Sequence, residues 1–144
     1  MEQSRKQLKI YSIVVLIFVG VSILNLLSGF IALNGATIPE DAPENILTIT
    51  KIILSVIMAV ILLPQIYVGV KGLKIASNPD SSKLHIIVAA VLLGITSLTA
   101  ISPIIAIVQN VEVFDNVRYL LSIIVEAWVF FDYIRYAKLV ADGN

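Results

Sequence analysis

The sequence predicts an all-α integral membrane protein, an antiparallel bundle of four transmembrane helices running up-down-up-down with both termini cytoplasmic. Three observations predict it. Of the 144 residues, 58% are hydrophobic and 14% charged, with a mean hydropathy of +0.97. A soluble domain covers its surface with more polar groups, at about 45–50% apolar and about 25% charged. The apolar residues also fall into four stretches near the ~20 residues that a spanning helix needs. Finally, the lysines and arginines gather at one set of stretch ends.

The first stretch, Ile10 to Pro39, holds no Asp, Glu, Lys or Arg. The second is Ile52 to Val70, and the third, Leu84 to Val111, carries only His85 as a polar titratable group. The fourth, Tyr119 to Val140, is interrupted by Glu126, Asp132, Arg135 and Lys138. The alternation expected of a β-barrel strand is missing. Helices satisfy their own backbone hydrogen bonds in lipid, so the stretches read as helices over roughly 8–33, 46–75, 84–108 and 118–140 in a single membrane domain spanning 1–144. The basic amino end resembles a signal peptide, but its apolar run exceeds the ~7–15 residues of such a segment. The weak cleavage site ending at Ala36 carries Asn34 where a small residue belongs. The first run therefore reads as a permanent helix.

Turn chemistry separates the stretches. Asn34-Gly35 closes the first helix, and Pro39 and Pro43 prevent its resumption. Asp41 and Glu44 have the spacing of a capping box for the second helix. Ser77-Asn78-Pro79-Asp80 is the strongest turn signal, and Asp115-Asn116 is placed to cap the fourth helix. Pro64 and Pro103 fall inside helices, where each removes a backbone hydrogen bond and favours a kink. Small residues four apart, at Ser28 and Ala32, Ser55 and Ala59, and Ala90 and Gly94, mark close-packing faces, with Gly20, Gly69 and Gly72 as further approach points.

Orientation follows from charge. Arg5, Lys6, Lys9, Lys71, Lys74, Lys83, Arg135 and Lys138 lie on one side, and only Lys51 and Arg118 on the other. The positive-inside rule places the larger group, and so both termini, in the cytoplasm. Tyr11, Tyr67, Tyr133 and Tyr136 toward that side, with Phe30 and Tyr119 opposite, form an aromatic belt. The expected location is the cell membrane as a multi-pass protein, with a bacterial plasma membrane the natural setting for so compact a chain.

The formal net charge of zero gives no electrostatic case for nucleic acid. With no cysteine and one histidine, no thiolate site and no convergent catalytic or metal set is expected, and no cofactor. Attention falls on charges inside the hydrocarbon, which cost at least ~2.5–3.5 kcal/mol on insertion scales. Glu126 lies roughly 10 Å below the outer end of its helix. Asn25, Ser55 and Thr99 fall at about 12–14 Å on the other three, so the four form one candidate polar layer. With no cation at that depth, Glu126 suits either proton or cation coupling or a hydrogen-bonded role in holding the bundle together. Asp132 pairs with Arg135 at i+3 or with Lys71, and Gln65, roughly 15 Å from the inner end of its helix, joins them in a second, inner layer. His85 reads as an interfacial hydrogen-bonder.

The expected function is non-enzymatic: intramembrane protein–protein interaction in an accessory, assembly or immunity-type role. The alternative is an oligomeric channel or a proton- or cation-coupled transporter using Glu126. The partners expected are the lipid bilayer and either another membrane protein or further copies of the chain.

Overall fold

A computed structural model describes residues 2–35, 43, 45–79 and 82–143. The described residues fold as helices: α1 (Glu2–Asn34), α2 (Ile46–Ser77), α3 (Leu84–Thr99), α4 (Ile101–Val108) and α5 (Val113–Ala141). The segments α3 and α4 make one rod broken at Ala100. Three helices are long and apolar enough to cross a membrane, Glu2–Asn34, Ile46–Ser77 and Leu84–Val108. α5 is of similar length, 29 residues, but more highly charged. These features are those of a multi-pass membrane helix bundle.

α1 packs on α2 and α5, and α3 packs on α5 and α2, closing a ring of helices. Its core lies in the half that holds both chain ends and the α2–α3 turn, called here the terminal half. α1 buries Leu8, Ser12, Val15 and Val19, positions that recur on one helical face. Against them stand Val68 and Ile75 of α2, Ala89 of α3, and Phe130, Tyr133 and Ala137 of α5. The opposite, distal half behaves differently: Leu24 and Ile31 of α1, Val60 of α2, Val108 of α4 and Phe114 of α5 are all exposed. Apolar side chains turned outward are at home against lipid tails, which are as apolar as they are.

Close approach in the terminal half depends on two glycines. A β-carbon at Gly72 would come within 2.2 Å of Ser12 Oγ and 2.6 Å of Tyr133 Cε2; at Gly69 it would come within 2.6 Å of Leu16. Without side chains at these positions, α1 and α5 both reach the α2 backbone. The other expected approach points differ. Gly20 and Gly94 have nothing within 4 Å of a built β-carbon, and Ser28, Ala32, Ser55, Ala59 and Ala90 are exposed. Spacing alone marks a face; it does not say whether a neighbour covers it.

The helix ends also depart from expectation in places. α1 closes at Asn34 with Gly35 N–H donating to Ala32 O at 3.2 Å. Pro39, Asp41 and Glu44, like Asp80 of the second turn, lie outside the described residues. α5 begins at Val113, before the expected Asp115-Asn116 cap, and its N-cap is Glu112 in a left-handed conformation (φ 39°). Asn116 serves the turn instead, its side-chain amide donating to Val111 O at 3.0 Å and Glu112 O at 3.2 Å. At the other end, Arg5 Nε donates to Ala76 O at 2.9 Å and its terminal nitrogen to Ser77 O at 2.6 Å, satisfying carbonyls that the last turn of α2 leaves open.

The two internal prolines act unequally. α2 runs through Pro64 as one helix. At Pro103 the rod breaks three residues earlier, where Ala100 N–H turns back to Ser97 O at 3.2 Å. Proline cannot donate to the carbonyl of Thr99, four residues before it. The Thr99 hydroxyl donates to Thr96 O at 2.7 Å beside the break.

Candidate functional site

The expected polar layer is partly assembled and partly rearranged. On α5, Ser122 and Glu126 are one turn apart and share a face. Two hollows meet at that face. One, of about 340 Å³ between α1 and α5, is lined by Ser22 and Asn25 with Ser122 and Glu126. The other, of about 160 Å³ among α2, α3 and α5, is lined by Gln65, Thr96, Thr99, Tyr119, Ser122 and Glu126. Glu126 thus stands at the partition between them. Asn25 and Thr99 reach the two hollows from opposite sides, as the layer predicts. Ser55 lines neither; it is exposed, and its hydroxyl turns back to Lys51 O at 2.8 Å.

The α2 contribution to this layer is Gln65. Its Nε2 donates to Glu126 Oε1 at 3.0 Å, so it belongs with Glu126 and not with Asp132. The sequence estimate counted depth from helix ends, and α2 has 32 residues, about 48 Å at ~1.5 Å per residue against a ~30 Å hydrocarbon core. Such an overhang makes distance from an end a poor measure of depth. The pairing itself follows from donor chemistry: a carboxylate only accepts, and an amide presents both a donor and an acceptor. Gln65 is 4% exposed, and its Oε1 has no hydrogen-bond partner among the described residues.

The inner layer is likewise rebuilt. Asp132, 8% exposed, accepts from the Tyr11 hydroxyl of α1 at 2.7 Å, and among the described residues the Asp132–Arg135 ion pair does not form. Arg135 instead lies over the Tyr136 ring, 5.6 Å from its centroid, and Tyr136 stacks on Tyr11 with centroids 5.6 Å apart. Stacking carries Tyr11 into reach of the carboxylate, while a residue at i+3 on an exposed helix face is free to point to the rim. Lys71 is half-buried on α2. Tyr133 is fully buried and donates to Val68 O at 2.9 Å, because the missing side chain at Gly72 leaves that carbonyl open. His85, at the start of α3, is fully buried, with its ring edge-on to Tyr133 at 6.0 Å.

Glu126, Asn25 and Thr99, which the sequence singles out, line the hollows, whereas the Tyr11–Asp132 and Tyr133–Val68 bonds go beyond what the sequence suggests. A buried tyrosine needs a partner for its hydroxyl, which was the available signal. Among the described residues no group of three or more His, Asp or Glu side chains is placed to hold a metal ion. No family model, no curated protein and no solved structure matches the chain.

Proposed function

We propose that the chain crosses the bilayer four times with both termini in the cytoplasm, and that it works without enzymatic chemistry by docking another membrane protein within the bilayer. Supporting the fourth crossing, α5 at 29 residues spans about 43 Å. Its two mid-helix carboxylates, Glu126 and Asp132, each meet a partner from another helix, which offsets their cost in lipid. Basic clustering supports the orientation. A reporter fused after Asn144 is expected to be accessible only from the cytosol; labelling from outside would reverse the topology.

The observation that carries the docking reading is the α1–α5 hollow. Asn25 is exposed there, with Ser22, Ser122 and Glu126 around it. An unsatisfied amide such as that of Asn25 facing hydrocarbon costs several kcal/mol (on the order of 2–7), so such a face favours a polar segment from a partner. A photo-crosslinker at Val21, in the same hollow, is expected to capture another membrane protein, and one at Ile87 on α3 is not. Recovery of only uncrosslinked chain from both positions, in mild detergent and in membranes, would defeat the reading. Capture of a second copy of the chain would replace the foreign partner with a homo-oligomer.

The second reading, proton- or cation-coupled transport, is favoured by the other hollow, where Glu126 and Gln65 meet. It predicts ion flux in proteoliposomes that Glu126→Gln abolishes; flux unchanged in that variant removes Glu126 from any such mechanism.

A further inference from the structure

We infer that the hollow among α2, α3 and α5 is a binding site for one small monovalent cation, held by Gln65 Oε1 and the Glu126 carboxylate. The inference deepens the transport reading and shares its residues, but binding is measurable without flux, so the two fail separately.

The chemistry of the lining is one-sided. Gln65 spends its donor on Glu126 Oε1, which turns its carbonyl oxygen elsewhere. That oxygen is buried and has no hydrogen-bond partner among the described residues, on a side chain that lines the hollow. A buried acceptor left unpaired keeps its full desolvation cost, so a positively charged or donor-bearing guest is favoured. The neighbouring hydroxyls add acceptors. Ser122 gives its proton to Tyr119 O at 2.7 Å, and Thr99 gives its own to Thr96 O at 2.7 Å. With their hydrogens committed to the backbone, both oxygens keep lone pairs for a guest. Four side chains on this wall therefore offer oxygen acceptors, and one of them is a carboxyl.

Size and charge narrow the guest. The hollow of about 160 Å³ holds about five waters at ~30 Å³ each, enough for a partly hydrated sodium ion or a protonated primary amine. A single carboxylate neutralises one positive charge, and hard oxygen ligands suit alkali ions in preference to softer metals. Entry is available on the distal side, where Thr99 and Tyr119 are exposed.

The test uses the full chain in detergent micelles, with its unfolding midpoint measured in sodium, ammonium and choline chloride at equal ionic strength. Choline hides its charge beneath methyl groups and donates only through its hydroxyl, so it serves as the control. Sodium or ammonium is expected to raise the midpoint saturably over choline, by roughly 3 °C at ten times the dissociation constant. The rise is expected to vanish in Gln65→Leu and in Glu126→Gln. If either variant fails to fold, sodium-23 line broadening by the unmodified protein, reversed by ammonium and not by choline, reads the same site. Sodium and ammonium arms tell an alkali ion from an amine. Equal midpoints in all three salts, a rise retained in both variants, or no sodium broadening together with no rise in ammonium would overturn the site. Binding without flux would support it while removing the transport reading.

Discussion

The terminal and distal halves of this bundle are built from the same apolar residue types and behave in opposite ways. In the terminal half, Leu8, Val15, Val68, Phe130 and Tyr133 are fully buried, and each long-range polar bond closes on a defined partner. In the distal half, Val108 and Phe114 are each 80% exposed, and the hydroxyls of Ser28, Ser55 and Ser97 turn back on their own helices. Hydrophobicity cannot explain the difference, since lipid and protein interior are equally apolar. Backbone approach can: Gly69 and Gly72 let three helices meet in the terminal half, while Gly20 and Gly94 have no neighbour to admit. The Glu126–Gln65 pair lies where packing gives way to hollows, which is where a membrane protein can accept a guest.

The comparison is broken most severely at Gly72. Gly72→Val is expected to destabilise the bundle by about 2–3 kcal/mol, because its side chain overlaps Ser12 and Tyr133. Mixed-micelle unfolding measures it, and a stability matching the unmodified protein would show that the terminal half is not held by this contact. Next comes the Tyr11–Asp132 bond, for which a double-mutant cycle with Tyr11→Phe and Asp132→Asn is expected to give a coupling of about 1 kcal/mol. A coupling of zero would leave the stack with Tyr136 and apolar packing to join those helices at that level.

Tyr133→Phe, which keeps the ring and loses only the bond to Val68 O, is expected to cost about 0.6–1 kcal/mol in the same assay. A gain in stability would mean that the Val68 carbonyl needs no second donor. The smallest effects belong to the distal half. Gly94→Ala and Ser28→Ala are expected to stay within about 0.5 kcal/mol of the unmodified protein. A larger loss for either would reveal a contact there, most simply with a partner or a second copy.

How much was legible in advance depended on the range of the interaction. The positions of the long helices followed from stretch length, and Asn34-Gly35 marked a boundary by local turn chemistry. Glu126, Asn25 and Thr99 were found because a polar residue in an apolar run stands out without any neighbour. Gln65 was noticed and placed in the wrong layer, since α2 overhangs the hydrocarbon thickness. For Asp132 the sequence offers Arg135 at i+3 or Lys71, and the Tyr11 hydroxyl that it accepts from lies 121 positions away, beyond any local pattern. At Glu112, a left-handed residue that is not glycine started α5 early, where propensity pointed to Asp115-Asn116.

What the amino-acid order determined alone was the set of long apolar helices, the close of the first at Asn34-Gly35 and the few polar groups stranded within them. Each of these depends on neighbours within a turn or two of the chain and on the solvent in which they sit. Only the tertiary structure decided which polar groups meet, which glycines are covered and which half of the bundle closes. In an apolar medium, burial supplies no direction. Helix pairing therefore rests on backbone approach and on hydrogen bonds between residues such as Gln65 and Glu126, 61 positions apart, which no local pattern specifies.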